Sequence, residues 1–215
     1  PHASSAGRYF IRVGSTRHIP TQQELLRLFQ QRNILQFDDT PVLQAGISDI
    51  DLEKVDVLLG RLGQTPLDRE SRTALVQDLI NLSIVQTIDR QTHPTLAGLL
   101  SFGKNPQRFF PSFSVMCGAY RGSDLVSDTV AEKTISGSFD KLIEDTMAFL
   151  RLVVPQDPRA ADGIKRSDAF QYPIEALREG VVNAVCHRDY TISGAAIRVF
   201  VFADHIEIRS PGNLP

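Results

Sequence analysis

One stretch decides how this chain folds, and it reads Pro173-Ile-Glu-Ala-Leu-Arg-Glu-Gly-Val-Val-Asn-Ala-Val-Cys-His-Arg-Asp-Tyr190. Its apolar residues recur every three or four positions, which predicts an amphipathic helix from Pro173 to His187. Pro173 suits the first turn of a helix, where a missing N–H leaves no bond unmade. Arg188 and Asp189 follow the predicted helix, and we expect them to cap its end or to pair there.

Polar side chains recur at a spacing of four along this helix and therefore share one face. They are Glu175, Glu179, Asn183 and His187. A carboxylate can orient or deprotonate a water molecule, and an amide oxygen one turn away suits Mg²⁺ as a ligand. The alternative is a solvated face, on which the two glutamates only favour the helix N-terminus. Spacing alone favours this alternative, because such stripes are common on surface helices.

The residues after this helix predict a β-hairpin. Residues 195–203 alternate between two faces, and one face carries Ile197, Val199 and Val201. Asp204-His205 suits a tight turn, and residues 206–209 alternate again. The run from Ser210 to Pro215 ends the second strand.

Upstream, the sequence mixes helical and strand signals, and we predict an α+β fold. The order helix, strand pair, helix in the middle of the chain is similar to a winged-helix unit. The predicted elements are a strand at 9–13, a helix that opens with a capping box of Thr21 and Glu24, helices from 48 and from 68, a strand at 81–85 that leads to a turn at Asp89-Arg90, a helix from 93, a strand at 112–120, a helix at 137–152 and a loop at 155–172.

Four segments of the chain resemble known families. Glu179-Gly-Val-Val-Asn183 looks like the N-box of the GHKL nucleotide-binding fold, which DNA gyrase, MutL and histidine kinases share. The stretches 173–190, 204–215 and 94–106 are similar to a bacterial and archaeal family of predicted transcriptional regulators, often labelled "ATP-dependent DNA helicase RecG-related". Residues 9–16 resemble the tail of the Schlafen AlbA-type domain that precedes these regions.

The resemblance implies ATP and Mg²⁺ as ligands. In the GHKL families the glutamate activates the attacking water and the asparagine holds the metal, and these roles fall on Glu179 and Asn183. Gly212 falls where a glycine of the next box approaches the adenine, and His187, on the same helix stripe, is a further cofactor-binding candidate. Ser210 stands where the gyrase-like pattern has an aspartate. The chain also ends before a glycine-rich lid, so we expect at most half of a nucleotide site.

The composition is that of an ordinary globular protein, with 215 residues, 42% hydrophobic, and a net charge of −2. This excludes a globally basic DNA-coating protein and leaves room for a local basic patch. Residues 1–36 carry five arginines against one glutamate, which makes Arg12 and Arg17 candidates for DNA binding, the alternative being a solvated face. With two cysteines and no long apolar run, we expect no disulfide framework, no membrane partner and a cytoplasmic location.

The chain begins at Pro1 without Met, and we expect it to be a fragment with three parts. They are an AlbA-like tail with a linker helix at 1–36, a helical, winged-helix-like segment at 37–110, and the N-terminal part of a GHKL-like domain at 111–215. We favour a DNA-associated transcriptional regulator with a GHKL-like ATP-binding module. The alternatives are an ATPase that uses Glu179 as base and Asn183 as metal ligand, and a catalytically silent interaction or dimerisation module. A homo-oligomer is compatible with each.

Overall fold

The computed structural model describes residues 10–13, 16–21, 24, 37–154 and 172–212. Its first element is a short antiparallel hairpin of β1 (Ile11–Val13) and β2 (Thr16–His18). The predicted capping box is present, because Thr21 N–H donates to Glu24 Oε2 at 2.8 Å and Glu24 N–H donates back to Thr21 Oγ1 at 3.3 Å. The body of the helix predicted behind it and the loop predicted at 155–172, apart from Tyr172, lie outside the described residues.

A helical unit with one β-hairpin follows. Its elements are α1 (Leu52–Arg61), α2 (Arg72–Asn81), β3 (Val85–Ile88), β4 (Gln91–Pro94) and α3 (Leu96–Phe102). The predicted turn of the hairpin is confirmed, since Asp89 and Arg90 both have positive φ (49° and 66°), as a two-residue hairpin turn of this kind requires. The order of elements is the one that suggested a winged-helix unit.

Two helix starts in this unit differ from the prediction. We placed them at Ser48-Asp49 and Asp68, whereas the N-caps are Asp51 and Ser71. Asp49 ends a short 3₁₀ helix (Ile47–Asp49) and accepts the Gly46 N–H at 2.9 Å, whereas Asp68 accepts the Glu70 N–H at 3.0 Å in a turn. Aspartate suits Asx turns as well as helix caps, so its presence alone does not fix where a helix begins. The strand predicted at 81–85 is likewise displaced, because residue 81 ends α2.

The rest of the described chain is a four-stranded sheet with two helices on one face. The elements are β5 (Val115–Tyr120), β6 (Thr129–Ile135), α4 (Phe139–Val153), α5 (Ile174–Cys186), β7 (Ile197–Val201) and β8 (Ile206–Arg209). The strand order is β6-β5-β7-β8, with β5 and β7 parallel and the outer pairs antiparallel. The sequence analysis missed β6. The α+β fold class is confirmed.

Each unit has its own apolar core. Under the helices of the sheet unit, Val115, Val199 and Leu150 are fully buried, and this confirms the core face predicted for β7. In the helical unit the core is built around residues such as Val55 and Leu79. Burying a side chain of this size contributes about 1.5 to 3 kcal/mol, so both cores are substantial. None of the helices within the described ranges is long and apolar enough to cross a membrane.

Candidate functional site

Helix α5 is positioned by a close approach to the sheet. Leu177, Val181 and Val185 are buried against the strands, as the apolar spacing predicted. Gly180 faces β8 so closely that an added Cβ would lie 2.9 Å from Ile208 Cδ1. The glycine between the glutamate and the asparagine of the motif therefore packs closely on the strand, and a side chain there would require the end of the Ile208 side chain to move.

The polar stripe of α5 faces solvent along its whole length. Glu175, Glu179 and Asn183 are exposed on the helix, and His187 is exposed at its C-cap. No residue of the stripe is buried. Two cavities of about 400 and 520 Å³ lie in the helical unit and do not include these residues. An exposed stripe is open to a ligand that arrives from solvent.

The turn after β8 is bonded to the C-terminal end of α5. Ser210 Oγ donates to the carbonyl of Ala184 at 2.7 Å, and Asp189 N–H donates to the carbonyl of Pro211 at 2.8 Å. Gly212 has φ of +139°, a value that favours glycine, and a Cβ there would lie 3.2 Å from Asp189 Cβ. The structure thus brings the Gly212 segment to the helix end that carries Asn183 and His187.

Sequence reasoning missed two side chains that hold this helix end. The last carbonyls of a helix have no partner within it. Ser210 satisfies the carbonyl of Ala184, and Tyr190 Oη donates to the carbonyl of Val185 at 2.7 Å. Burial raises the pKa of Tyr190, so its hydroxyl keeps the proton that it donates. Tyr190 lies four residues beyond the helix and could have been suspected from its position, whereas Ser210 is 26 residues from its partner and gave no local signal.

The donor chemistry of the stripe fits Mg²⁺ bound together with phosphates. Within the described ranges no group of three His, Cys, Asp or Glu side chains could hold a metal ion. Mg²⁺ is commonly held by one or two protein oxygens and completes its shell with water and substrate phosphates. The amide oxygen of Asn183 is a ligand of this kind, with the Glu179 carboxylate one turn before it on the exposed face.

The basic candidates lie in the N-terminal hairpin. Arg12 and Arg17 are direct partners in the register of β1 and β2, and Arg17 is exposed. Like charges opposite each other destabilise a strand pair. The register thus places the two arginine positions opposite each other on neighbouring strands.

Comparisons with known proteins bear on the fold. No family model matches the chain, and no curated protein matches it. Among solved structures it is similar to the DIP2311 protein from Corynebacterium diphtheriae, with a TM-score of 0.52 and 16% identity over 98% of this chain. The match takes in 34% of that protein, so this chain spans about a third of its length. At this identity the similarity supports the fold alone.

Proposed function

We propose that this chain is part of a DNA-associated transcriptional regulator and carries its GHKL-like ATP-binding module. One observation carries the proposal. The bond from Ser210 Oγ to the Ala184 carbonyl places the glycine-containing turn at the same end of α5 as Asn183. The N-box and the next box of the resemblance lie 21 residues apart at their nearest ends, from the last quoted N-box residue Asn183 to Asp204, so their juncture is a property of the fold.

In this proposal, different residues contact different parts of the nucleotide. Asn183 would supply an amide oxygen to Mg²⁺, and a bound Mg²⁺ would offset the negative charge of the phosphates. Gly212 packs against Asp189 on the side where a Cβ would lie, so its turn can approach the helix end closely, and by the resemblance this turn receives the base. His187 lies between these positions along the chain, at the helix cap. Glu179 is exposed one turn before Asn183, where a carboxylate can orient a water molecule.

Calorimetry tests the proposal on this chain. Mg-ATP and Mg-ADP are titrated into the wild type, into Asn183→Ala and into Asn105→Ala, which alters an exposed asparagine outside α5. We expect binding by the wild type and by Asn105→Ala, and loss of binding by Asn183→Ala. Absence of binding to the wild type overturns the proposal for the module. Binding that survives Asn183→Ala places the nucleotide elsewhere.

The DNA part of the proposal rests on the register of Arg12 with Arg17. Each phosphate that a cation neutralises steepens the dependence of affinity on salt. Anisotropy of a labelled duplex at several salt concentrations should show weaker binding by Arg12→Ala and Arg17→Ala, with a slope reduced by about one for each. Arg209→Ala is the matched control, because Arg209 is exposed and paired with Glu207 at 2.7 Å. Binding that ignores both salt and these changes argues against DNA.

A second function, a catalytically silent interaction module, is favoured by Ser210. Its hydroxyl is engaged by the helix end, in the place where the gyrase-like pattern has an acidic residue. Turnover separates this function from an ATPase. An ATPase loses phosphate release in Glu179→Ala while it keeps nucleotide binding, whereas the silent module releases no phosphate in either form.

A further inference from the structure

Arg188 follows the cap of α5 and is a charged residue inside the protein. Only 4% of its surface is exposed, and its guanidinium lies over the rings of Phe113 and Tyr190, at 4.3 and 5.0 Å from their centroids. Arginine is almost never fully buried unless its donors find partners, because removing the charge from water is costly. The partners of Arg188 therefore indicate what it does.

Those partners are backbone carbonyls of a single segment. The guanidinium donates to Asp189 O at 3.0 Å, to Ile192 O at 2.9 Å and to Ala195 O at 2.7 Å. We expected Arg188 and Asp189 to cap the end of the helix or to pair there. The three carbonyl bonds of Arg188 hold the irregular connection between α5 and β7 around its guanidinium. A planar fork with several fixed donors suits this task better than a lysine.

Asp189 connects the segment held by Arg188 to the turn after β8. Its carbonyl accepts from Arg188, and its N–H donates to the Pro211 carbonyl at 2.8 Å. Its side-chain Oδ1 accepts the Thr191 N–H at 2.9 Å, which holds the residues that follow in a turn. A displacement of Arg188 therefore reaches Pro211, the residue before Gly212, through Asp189 alone.

The connection is also held from the helical unit. Phe113, which covers the guanidinium, belongs to the core of that unit, and Gly194 N–H donates to Ser112 Oγ at 3.2 Å. The connection between α5 and β7 is therefore held by contacts to both units. Because Asp189 of this connection is bonded to Pro211, these contacts also help to fix the turn at 210–212.

We infer that Arg188 is a positioning residue of the nucleotide site, and that it sets the place of the 210–212 turn relative to Asn183. The inference rests on the proposed function. A nucleotide that reaches from a metal at Asn183 to a base beside Gly212 needs a fixed span between the two, since misplacement by about 1 Å at such a site is costly. Arg188 acts on the base end, and Asn183 holds the phosphate end.

The assignment of Arg188 to the base end and of Asn183 to the phosphate end can be tested with two ligands. Arg188→Lys and Arg188→Met are titrated with Mg-ATP and with Mg-tripolyphosphate, which has phosphates and no base. We expect affinity for Mg-ATP to fall at least tenfold, with the larger loss in Arg188→Met, and affinity for Mg-tripolyphosphate to stay within twofold. Arg178→Lys is the control, because Arg178 is exposed on α5 and pairs with Glu144. It should leave both affinities unchanged.

The outcomes distinguish a failure of the proposed function from a failure of the inference about Arg188. If the wild type binds no Mg-ATP, the proposed function fails and the inference fails with it. If the wild type binds and the Arg188 variants bind equally well, the inference alone is overturned. Equal loss of both ligands also overturns it, because a merely structural role loosens the whole site. Should neither Arg188 variant fold, Thr191→Val removes a bond to Asp189 Oδ1 without touching the buried charge. It should then give the same split at smaller size.

Discussion

Ser210 Oγ donates to the carbonyl of Ala184 across 2.7 Å, so the turn after β8 caps the last turn of α5. This carbonyl has no partner within the helix. A hydroxyl can donate to it, whereas the carboxylate that the gyrase-like pattern places here can only accept. Ser210 therefore caps the helix. An acidic residue in its place would face the negative end of the helix dipole.

Replacing Ser210 should expose this difference. We expect Ser210→Ala to lower the free energy of unfolding by about 1 kcal/mol, the usual size for a lost hydrogen bond. Ser210→Asp should cost more, because it adds a like-signed interaction with the helix end. Urea unfolding of both variants measures this, with Ser193→Ala, an exposed serine, as control. An aspartate variant as stable as the wild type would contradict the capping role.

Two glycines should respond to alanine with opposite signs. Gly212 has φ of +139°, and a Cβ there meets Asp189 at 3.2 Å, so Gly212→Ala should destabilise the protein by more than about 1 kcal/mol. Gly60 lies inside α1 with no atom within 4 Å of an added Cβ. Gly60→Ala should stabilise by about 1 kcal/mol, since alanine favours the helix. Thermal unfolding compares them, and shifts of equal sign would refute the assigned backbone conformations.

The two faces of α4 should differ strongly in their tolerance of truncation. Met147 is fully buried against the sheet, so Met147→Ala should cost about 2 to 5 kcal/mol. Leu152 is 82% exposed on the same helix, and Leu152→Ala should stay within about 0.5 kcal/mol of the wild type. Chemical denaturation of both variants gives the comparison. A large loss in Leu152→Ala would mean that this face is covered in solution.

The two cysteines should react with thiol reagents at very different rates. Burial raises the pKa of Cys117 to about 11, so almost none of it is thiolate at pH 8, and its sulfur lies in the core. Cys186 is exposed at the end of α5. One thiol should be modified quickly in the native protein and the second only on unfolding. Cys186→Ser should remove the fast phase, and a fast phase that persists would place Cys117 within reach of solvent.

His205 should titrate above the ordinary range of histidine. A hydrogen bond with the Asp204 side chain, at 2.7 Å, raises the pKa of His205, and Glu207 adds to the effect. Because the folded pKa is raised, the stabilisation is fully present below the ordinary value of 6.5 and is lost as pH rises through the folded value. Proton NMR of the imidazole should show a lower pKa in Asp204→Asn and a smaller decrease in Glu207→Gln. An unchanged midpoint in both would contradict the pairing.

Local sequence patterns predicted helices and strands of this fold. Features that depend on packing between distant segments could not be predicted in this way. Helix α5 and the hairpin of β7 and β8 follow from apolar periods of 3.6 and 2 within one segment. Strand β6 escaped notice because it lies at the sheet edge with mostly exposed residues, so its apolar alternation is weak, although its threonines, valine and isoleucine favour a strand.

In the candidate site, too, the feature set within one helix was predicted, and the contacts between distant residues were not. The spacing of Glu179 and Asn183 predicted their common face, because that is set within one helix. The bond from Ser210 to Ala184 joins residues 26 apart. The burial of Arg188 depends on Phe113, which comes from the other core. Arginine is ordinarily a surface residue, so no local pattern marks one that organises a loop.

The parallel pairing of β5 with β7 dictates the order in which this chain can fold. Val115 pairs with Ile197, so the centre of the sheet cannot close until 82 further residues (197 − 115) have been made and brought back. The β3–β4 hairpin of the helical unit closes over only nine residues (94 − 85), and proteins rich in local contacts fold faster. One edge of β5 has β6 nearby, while the other stays open with its backbone groups unpaired until β7 arrives. During synthesis that open edge is the place where a second chain would bind and start aggregation.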